Sequence, residues 1–166
     1  MKKTLNIGAG SRTYKTYPTN NYECINFDER VLENIDEIGD VRDLSRFKDE
    51  EFDFILASDI IEHFPIAETN KILTEWVRVL KSNCLIEFRL PNLPAILVEY
   101  ANKRNARHTS WLLYGGQDYP GNFHYVCYDR NLLKEECNKV GLQEITYSEE
   151  GFNMIVRYRR ITNEES

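Results

Sequence analysis

Gly8 and Gly10 follow a short apolar run near the start of the chain, in the segment LNIGAG. Two glycines so close to the end of a predicted strand allow the backbone to approach a ligand. A dinucleotide-binding loop would have a further glycine where Thr13 stands, and a phosphate-binding loop would contain Gly-Lys-Ser/Thr; the segment has neither. The alternative interpretation is a tight turn at the strand end that binds nothing.

Asp28 stands 20 residues beyond Gly8, at the end of a second predicted strand. A carboxylate at this place can accept hydrogen bonds from both hydroxyls of a ribose. The alternative is an aspartate that only shapes a turn. Taken with the two glycines, Asp28 favours a ligand site over a plain turn.

Two of the three histidines are candidate catalytic residues. His63 follows Glu62 after a predicted central strand, and His124 lies in the segment GNFHY. Imidazole titrates near neutral pH, so either ring could take a proton from a reacting group. For His63 the alternative is a packing role near the start of a helix. The spacing of the histidines along the chain lacks the pattern of a metal site, so we expect none.

Residues 106–128 are predicted to form a long irregular segment that is rich in Tyr, Gly and Pro. Such a segment in a small domain is more often functional than accidental. We predict that it is a loop or lid on the substrate side, in which Tyr119, His124 and Tyr125 bind the substrate. The alternative is that its aromatic side chains form a second small core.

Short apolar runs alternate with amphipathic stretches, which predicts an α/β domain with a mostly parallel sheet. The predicted parallel strands are Thr4–Ala9, Glu23–Phe27, Ile38–Val41, Phe52–Ala57 and Leu85–Leu90. The clearest helix is Ile66–Lys81, after which Asn83 can take the left-handed conformation that ends a helix. Asp129 is predicted to cap a second helix that reaches Val140.

Two more strands, Glu144–Tyr147 and Asn153–Tyr158, are predicted near the end of the chain. The turn between them is short, so they must pair antiparallel. Residues 11–22, between the first two strands, number about a dozen, which barely accommodates a crossover helix. We therefore predict that the first crossover helix is short or absent.

The length of 166 residues fits one domain, residues 1–166, with residues 162–166 predicted to be a frayed tail. The net charge of −6 argues against a nucleic acid partner, because duplex binding usually needs a basic face. No apolar run approaches the roughly 18 residues of a membrane span, so we expect no membrane partner. The chain begins without an apolar signal core, and its four cysteines show no CxxC spacing, so a cytoplasmic protein is expected.

The order of the motifs resembles that of S-adenosylmethionine-dependent methyltransferases with a Rossmann-like fold. The motifs are LNIGAG, NFD, FDFILASDIIEHF, EWVRVLKSN and PN, and together they run from Leu5 to about Asn92. The chain is most similar to small predicted methyltransferases of bacterial and phage type, which are type 11-like. The resemblance implies a Rossmann-like, mostly parallel sheet with helices on both faces and an antiparallel strand pair at its C-terminal end.

The resemblance also implies roles for individual residues in binding S-adenosylmethionine. Gly8, Ala9 and Gly10 would let the backbone approach the methionine part and the ribose. Asp28 would hold the ribose hydroxyls, and Asp43 would accept a hydrogen bond from the adenine amino group. The chain departs from the family pattern in its glycine loop, where Ser-Arg follows the second glycine.

Further along the chain, the same resemblance implies the rest of the cofactor site. Leu44 would offer a backbone contact and an apolar wall to the adenine. Ser58 and Asp59 would line the methionine end, at the close of the central strand. Glu62 and His63 would stand at the mouth of the site, so that His63 would also contact the cofactor.

The resemblance implies a methyltransferase that acts on an unidentified acceptor, which we expect to be a small molecule or a saccharide. Two alternatives stay open. One is a degenerate domain that binds the cofactor or a partner protein without turnover. The other is an NAD-dependent oxidoreductase that uses the same glycines and Asp28. Exposed sheet edges and the aromatic segment are also consistent with a homodimer.

Overall fold

Two buried parallel strands form the centre of the molecule. In the computed structural model, which describes residues 1–161, these are β1 (Lys2–Ile7) and β4 (Phe52–Ser58). They pair in parallel, with Leu5 opposite Ile55 and both side chains fully buried. A strand covered on both faces is apolar almost throughout, which explains the sequence of β4. In β1 the buried side chains of Thr4 and Asn6 are polar, and they donate to the carbonyls of Tyr17 and Arg12.

The sheet has seven strands within residues 1–161, in the order β3-β2-β1-β4-β5-β7-β6. The remaining strands are β2 (Tyr22–Asp28), β3 (Glu37–Ile38), β5 (Leu80–Pro91), β6 (Leu142–Glu150) and β7 (Asn153–Arg160). Strands β1 to β5 are parallel, and β7 pairs antiparallel with both β5 and β6. The predicted fold class, with its C-terminal antiparallel pair, is confirmed.

The helices lie around this sheet. They are α1 (Ile66–Val79), α2 (Leu93–Lys103), α3 (Ala106–Tyr114) and α4 (Arg130–Lys139). The buried side of α1 carries Ile72, Leu73 and Trp76, the face that its periodicity predicts. Asp129 caps α4 as predicted, because its side chain accepts a hydrogen bond from the backbone N–H of Leu132.

A loop with no helix, residues 8–21, connects β1 to β2, as predicted for a crossover this short. Two tyrosines cover the sheet where a helix would otherwise pack. The ring of Tyr17 lies 5.0 Å from that of Tyr14 and 5.8 Å from that of Phe54. The Asn6 side chain also donates to the carbonyl of Arg12 at 2.8 Å. This bond holds the start of the loop, which includes Gly8 and Gly10 and is called the glycine turn below.

Several predictions about element boundaries are wrong. Strand β3 is Glu37–Ile38 rather than Ile38–Val41. Helix α1 ends at Val79 rather than at Lys81. The reason is that Leu80 is already extended: it begins β5 and pairs with Phe52 of β4. Strand β5 therefore begins five residues before its predicted start at Leu85. Asn83 does adopt a left-handed conformation (φ 60°), but it lies where the β4–β5 register shifts, so it forms a bulge and caps no helix.

Residues 92–128 are more regular than the sequence predicts. Helix α2 begins directly after Asn92, with Pro94 in its first turn, where a missing N–H costs nothing. Helix α3 occupies the first part of the segment 106–128, so the prediction of irregular structure is wrong for 106–114. The side chain of Asn105 caps α3 by accepting from the N–H of His108. The predicted frayed tail, residues 162–166, lies outside the described residues.

Candidate functional site

A cavity of about 310 Å³ opens at the carboxyl ends of β1, β2 and β4. The chain moves from β1 outward to β2 and β3 and then returns to the other side of β1 as β4. Open α/β sheets bind their ligands at such a switch point in strand order. The lining residues are Gly8, Asp28, Glu29, Arg30, Asp40, Val41, Arg42, Asp59, Ile60, His63, Phe64, Pro65, Glu68, Tyr119, Gly121 and Tyr125.

The glycine turn forms the floor of this cavity. Gly8 and Gly10 both have left-handed backbones, with φ values of 65° and 53°. A Cβ atom on Gly8 would lie 2.6 Å from the side chain of Ile60, so no larger residue fits there. Ala9 lies between them, and its N–H donates to the carbonyl of Phe27 at 3.0 Å. The predicted close approach of backbone to a ligand is therefore possible along this turn.

Asp28 is buried at the end of β2, with 4% of its surface exposed. One carboxylate oxygen accepts from the N–H of Gly10 at 2.8 Å, and the other accepts from the backbone N–H and Nε of Arg30. Burial by itself would raise the pKa of Asp28, but these hydrogen bonds outweigh it and hold the pKa below its ordinary value. Asp28 is therefore a carboxylate at neutral pH.

Arg30, which the sequence analysis did not single out, lies across one side of the cavity. Its guanidinium is 3.0 Å from Asp28 and sits over the ring of Tyr119, 4.5 Å from the ring centre. A carboxylate has about four acceptor positions, and three of those on Asp28 are in use. A ligand that donates two hydrogen bonds to Asp28 must therefore displace the Arg30 side chain.

The end of β4 supplies a second carboxylate to the cavity. Asp59 has a left-handed backbone, with φ 52°, that follows directly after the strand, and its N–H donates to the carbonyl of Arg89 at 2.7 Å. Its side chain pairs with Arg12, which also donates to the hydroxyl of Ser58 at 3.1 Å. Asp59 thus lines the cavity, while Ser58 does not line it and donates from its hydroxyl to the Asp59 carboxylate at 3.4 Å.

In the segment 40–44, the residues that line the cavity come earlier in the chain than Asp43 and Leu44, the two that the resemblance implied. Asp40, Val41 and Arg42 line the wall. The predicted Asp43 lies exposed on a turn, where its carboxylate accepts from the N–H of Ser45. Leu44 is fully buried in the hydrophobic core. Neither Asp43 nor Leu44 lines the cavity, whereas Asp40 is the carboxylate of this segment that does.

The cavity wall opposite Asp28 combines charge with an aromatic ring. Arg42 pairs with Asp40 at 2.7 Å and with Glu68 at 3.7 Å, and its guanidinium lies 5.8 Å from the ring centre of Phe64. The side-chain hydrogen bond from Arg42 holds the pKa of Asp40 below its ordinary value. The wall therefore offers an ionised carboxylate beside an apolar face.

His63 and His124 are adjacent although 61 residues separate them in the sequence. Their rings meet edge to face, 4.8 Å apart between ring centres. His63 belongs to a 3₁₀ turn, Ile61–His63, and lines the cavity, and His124 packs behind it. Burial lowers the pKa of both imidazoles, so both rings are neutral at neutral pH.

Backbone hydrogen bonds attach the segment 115–128 to this turn. The N–H groups of Tyr125 and Val126 donate to the carbonyl of Glu62 at 2.8 and 3.4 Å. The N–H of His124 donates to the carbonyl of Tyr114, at the end of α3. Tyr119 and Tyr125 both line the cavity, with 38% and 65% of their surface exposed, so both rings are accessible to a ligand. The structure thus brings Tyr119, Tyr125 and His63 to one cavity with Asp28, Asp59 and Gly8.

Residues 5–88, half of the chain, match the family described as a methyltransferase domain. The chain belongs to this family. No curated protein matches its sequence. This methyltransferase domain is also similar in fold to solved S-adenosylmethionine-dependent methyltransferases, and S-adenosylmethionine is the cofactor that the family and these structures indicate.

Three solved methyltransferases illustrate the fold. The one from Methanosarcina mazei is 13% identical, with a TM-score of 0.69 over 98% of this chain and 93% of that chain. The one from Archaeoglobus fulgidus is 13% identical, with a TM-score of 0.67 over 95% of this chain and 86% of that chain. The one from Aquifex aeolicus is 15% identical, with a TM-score of 0.65 over 96% of this chain and 82% of that chain. Within residues 1–161, no helix of the methyltransferase domain is both long and apolar enough for a bilayer span.

The residues of the cavity suit S-adenosylmethionine. This cofactor carries a cationic sulfonium and no phosphate, so it needs carboxylates and apolar walls and no basic clamp. Asp28, Asp40 and Asp59 provide the carboxylates, and Phe64 and Val41 provide apolar surface. The residues that sequence reasoning missed are Arg30, Asp40 and Arg42, whose side-chain directions no local pattern encodes.

Proposed function

We propose that this domain transfers a methyl group from S-adenosylmethionine to a small-molecule or saccharide acceptor. The observation that carries the proposal is the buried, ionised Asp28 beside the left-handed turn Gly8–Gly10 at the switch point of the sheet. When bound, the cofactor supplies a methyl group on a cationic sulfur, so positioning is the main task of the protein.

Each wall of the cavity has a part in holding the cofactor. Asp28 accepts hydrogen bonds from the ribose hydroxyls once the Arg30 side chain has turned away from its carboxylate. Asp40 accepts a hydrogen bond from the adenine amino group, with Val41 against the ring. Asp59 stands at the methionine end, where its negative charge attracts the sulfonium and the amino group.

The acceptor enters from the side of the segment 115–128. Tyr119 and Tyr125 line the cavity there, and exposed tyrosines stack well on sugar and aromatic rings while their hydroxyls form hydrogen bonds. His63 lines the cavity on this side and His124 packs against it, so these two neutral imidazoles form the catalytic end of the site. The acidic chain and the cavity of about 310 Å³ both favour a small acceptor over a nucleic acid.

One observation favours the scaffold alternative. The guanidinium of Arg30 occupies the Asp28 carboxylate and stacks on Tyr119, which is also how a closed and inactive site would look. Turnover separates the two functions, because a scaffold can bind the cofactor but forms no S-adenosylhomocysteine. We further propose that the protein acts in the cytoplasm and pairs as a homodimer, for which its oligomeric state in solution is the check.

Turnover is expected when the protein meets its acceptor. The protein is incubated with S-adenosylmethionine labelled in the methyl group and with fractionated pools of small molecules and saccharides. S-adenosylhomocysteine and labelled product are then measured by mass spectrometry. We expect both to form with at least one pool and to fall by about 100-fold in Asp28→Ala, which loses two hydrogen bonds to a charged group. Cofactor binding without S-adenosylhomocysteine in any pool would instead support the scaffold.

A further inference from the structure

Glu62, His63 and His124 converge beside the cavity, which His63 lines. One carboxylate oxygen and one nitrogen from each ring lie within 4.8 Å of one another. The three residues come from the 3₁₀ turn after β4 and from the segment after α3, so no short sequence motif joins all of them. The expectation of no metal site rested on spacing along the chain, and this cluster arises from the tertiary fold.

Glu62 is the unusual member of the cluster. It is only 1% exposed, and neither carboxylate oxygen has a hydrogen-bond partner among residues 1–161. A buried polar group without a partner is costly, and a buried carboxylate is normally paired or bound to a cation. Its burial and the nearby charge of Asp59 raise its pKa well above the ordinary value, against weaker opposing effects of the backbone N–H groups of Glu62 and Ile60 and the charge of Arg12.

Each of the two histidines keeps one ring nitrogen that can bind a ligand. The Nδ1 of His63 lies 3.1 Å from the carbonyl oxygen of Gly121, and the Nδ1 of His124 lies 3.1 Å from that of Leu112. A carbonyl can only accept, so both Nδ1 atoms carry the proton and both Nε2 atoms keep a lone pair. Backbone carbonyls orient metal-binding histidines in the same way.

The backbone around the cluster is fixed from both sides. The Glu62 carbonyl accepts from the N–H groups of Tyr125 and Val126, which holds the neighbouring His124 against His63. Gly115 has a left-handed backbone, and a Cβ there would lie 2.7 Å from the carbonyl oxygen of Asn122. The segment that carries His124 therefore follows one path, and the three side chains form a preorganised group.

We propose that Glu62, His63 and His124 bind a divalent first-row transition-metal ion such as Zn²⁺. Two imidazoles and one carboxylate suit such ions better than Mg²⁺ or Ca²⁺, which prefer oxygen ligands. Three protein ligands leave at least one coordination position open, and His63 places that position at the cavity. If the proposed methyl transfer is correct, this position would take a hydroxyl of the acceptor and lower its pKa.

Metal binding is tested directly and without S-adenosylmethionine, so its outcome is independent of the cofactor. Protein treated with a chelator is titrated with ZnCl₂ by calorimetry, and with CoCl₂ while visible absorption is recorded. We expect one ion per chain and ligand-field bands from the cobalt. Glu62→Gln and His124→Ala should weaken Zn²⁺ binding by about 100-fold or more, because loss of an outer partner alone costs about 10–100-fold. The matched control is His108→Asn, which removes a histidine outside the cluster and should bind as wild type does.

Thermal unfolding distinguishes a lost site from a lost fold. Without metal, Glu62→Gln should unfold at the same temperature as wild type or at a higher one, because it removes an unpartnered buried carboxyl. Zn²⁺ should raise the unfolding temperature of wild type and leave that of Glu62→Gln unchanged. The proposal is overturned if wild type binds no metal, or if Glu62→Gln and His124→Ala bind Zn²⁺ as tightly as wild type.

Discussion

Gly8→Ala is expected to lower the free energy of unfolding by about 3 kcal/mol. Two costs add at this position. A side chain in the left-handed conformation costs about 1–2 kcal/mol. The new Cβ would also lie 2.6 Å from two atoms of Ile60 and 3.0 Å from its Cβ, so Ile60 or the turn must shift. Chemical denaturation of the purified variant measures the loss.

Gly151→Ala is the matched control for that substitution. Gly151 has a similar backbone conformation (φ 61°), but no atom lies within 4 Å of an added Cβ. Only the conformational cost applies, so a loss of about 1 kcal/mol is expected. Equal losses at Gly8 and Gly151 would show that the contact with Ile60 is unimportant and that the glycine turn is not the tightly packed element described above.

Asp28→Ala is expected to weaken S-adenosylmethionine binding by about 100-fold. Two hydrogen bonds from ribose hydroxyls to an ionised carboxylate correspond to about 3 kcal/mol, and that energy converts to roughly this factor. The substitution also leaves the Arg30 guanidinium without its partner inside a cavity meant for a cationic ligand. Calorimetric titration of wild type and variant gives the ratio of dissociation constants.

Asp43→Ala makes the same experiment discriminating. The sequence motif implied that Asp43 contacts the adenine, whereas the structure places it on an exposed turn and puts Asp40 in the cavity wall. We therefore expect Asp43→Ala to bind as wild type does and Asp40→Ala to bind about tenfold more weakly, the cost of one hydrogen bond to a charged group. A large loss for Asp43→Ala with an unchanged Asp28→Ala would contradict the site described here.

The sheet could be predicted from the sequence largely because its central strand β4 is apolar almost throughout. The nearly continuous apolar run Phe52–Ser58 is typical of a buried parallel strand. The short turn before Asn153 requires antiparallel pairing of the last two strands. Helices α2 and α3 were not predictable in the same way. Pro91 and Pro94 resemble a loop, and nothing local shows that Pro94 falls in the first helical turn, where it is tolerated.

The candidate site was predictable only where a residue ends a strand. Gly8, Asp28 and Asp59 follow strand ends, so the topology of the sheet fixes their place. Asp40 and Asp43 are three residues apart, and the choice between them depends on a local turn in which the N–H of Asp43 donates to the carbonyl of Asp40. The contact of His124 with His63 depends on tertiary packing, which no sequence spacing encodes.

The most direct test of the central claim is calorimetric titration of the wild-type protein with S-adenosylmethionine, S-adenosylhomocysteine and NAD. The cavity combines carboxylates at three strand-end and loop positions, Asp28, Asp40 and Asp59, with a glycine turn that lacks a phosphate clamp. We predict that S-adenosylmethionine and S-adenosylhomocysteine bind with one site per chain and that NAD does not bind. Binding of NAD alone, or of none of the three, would contradict the account.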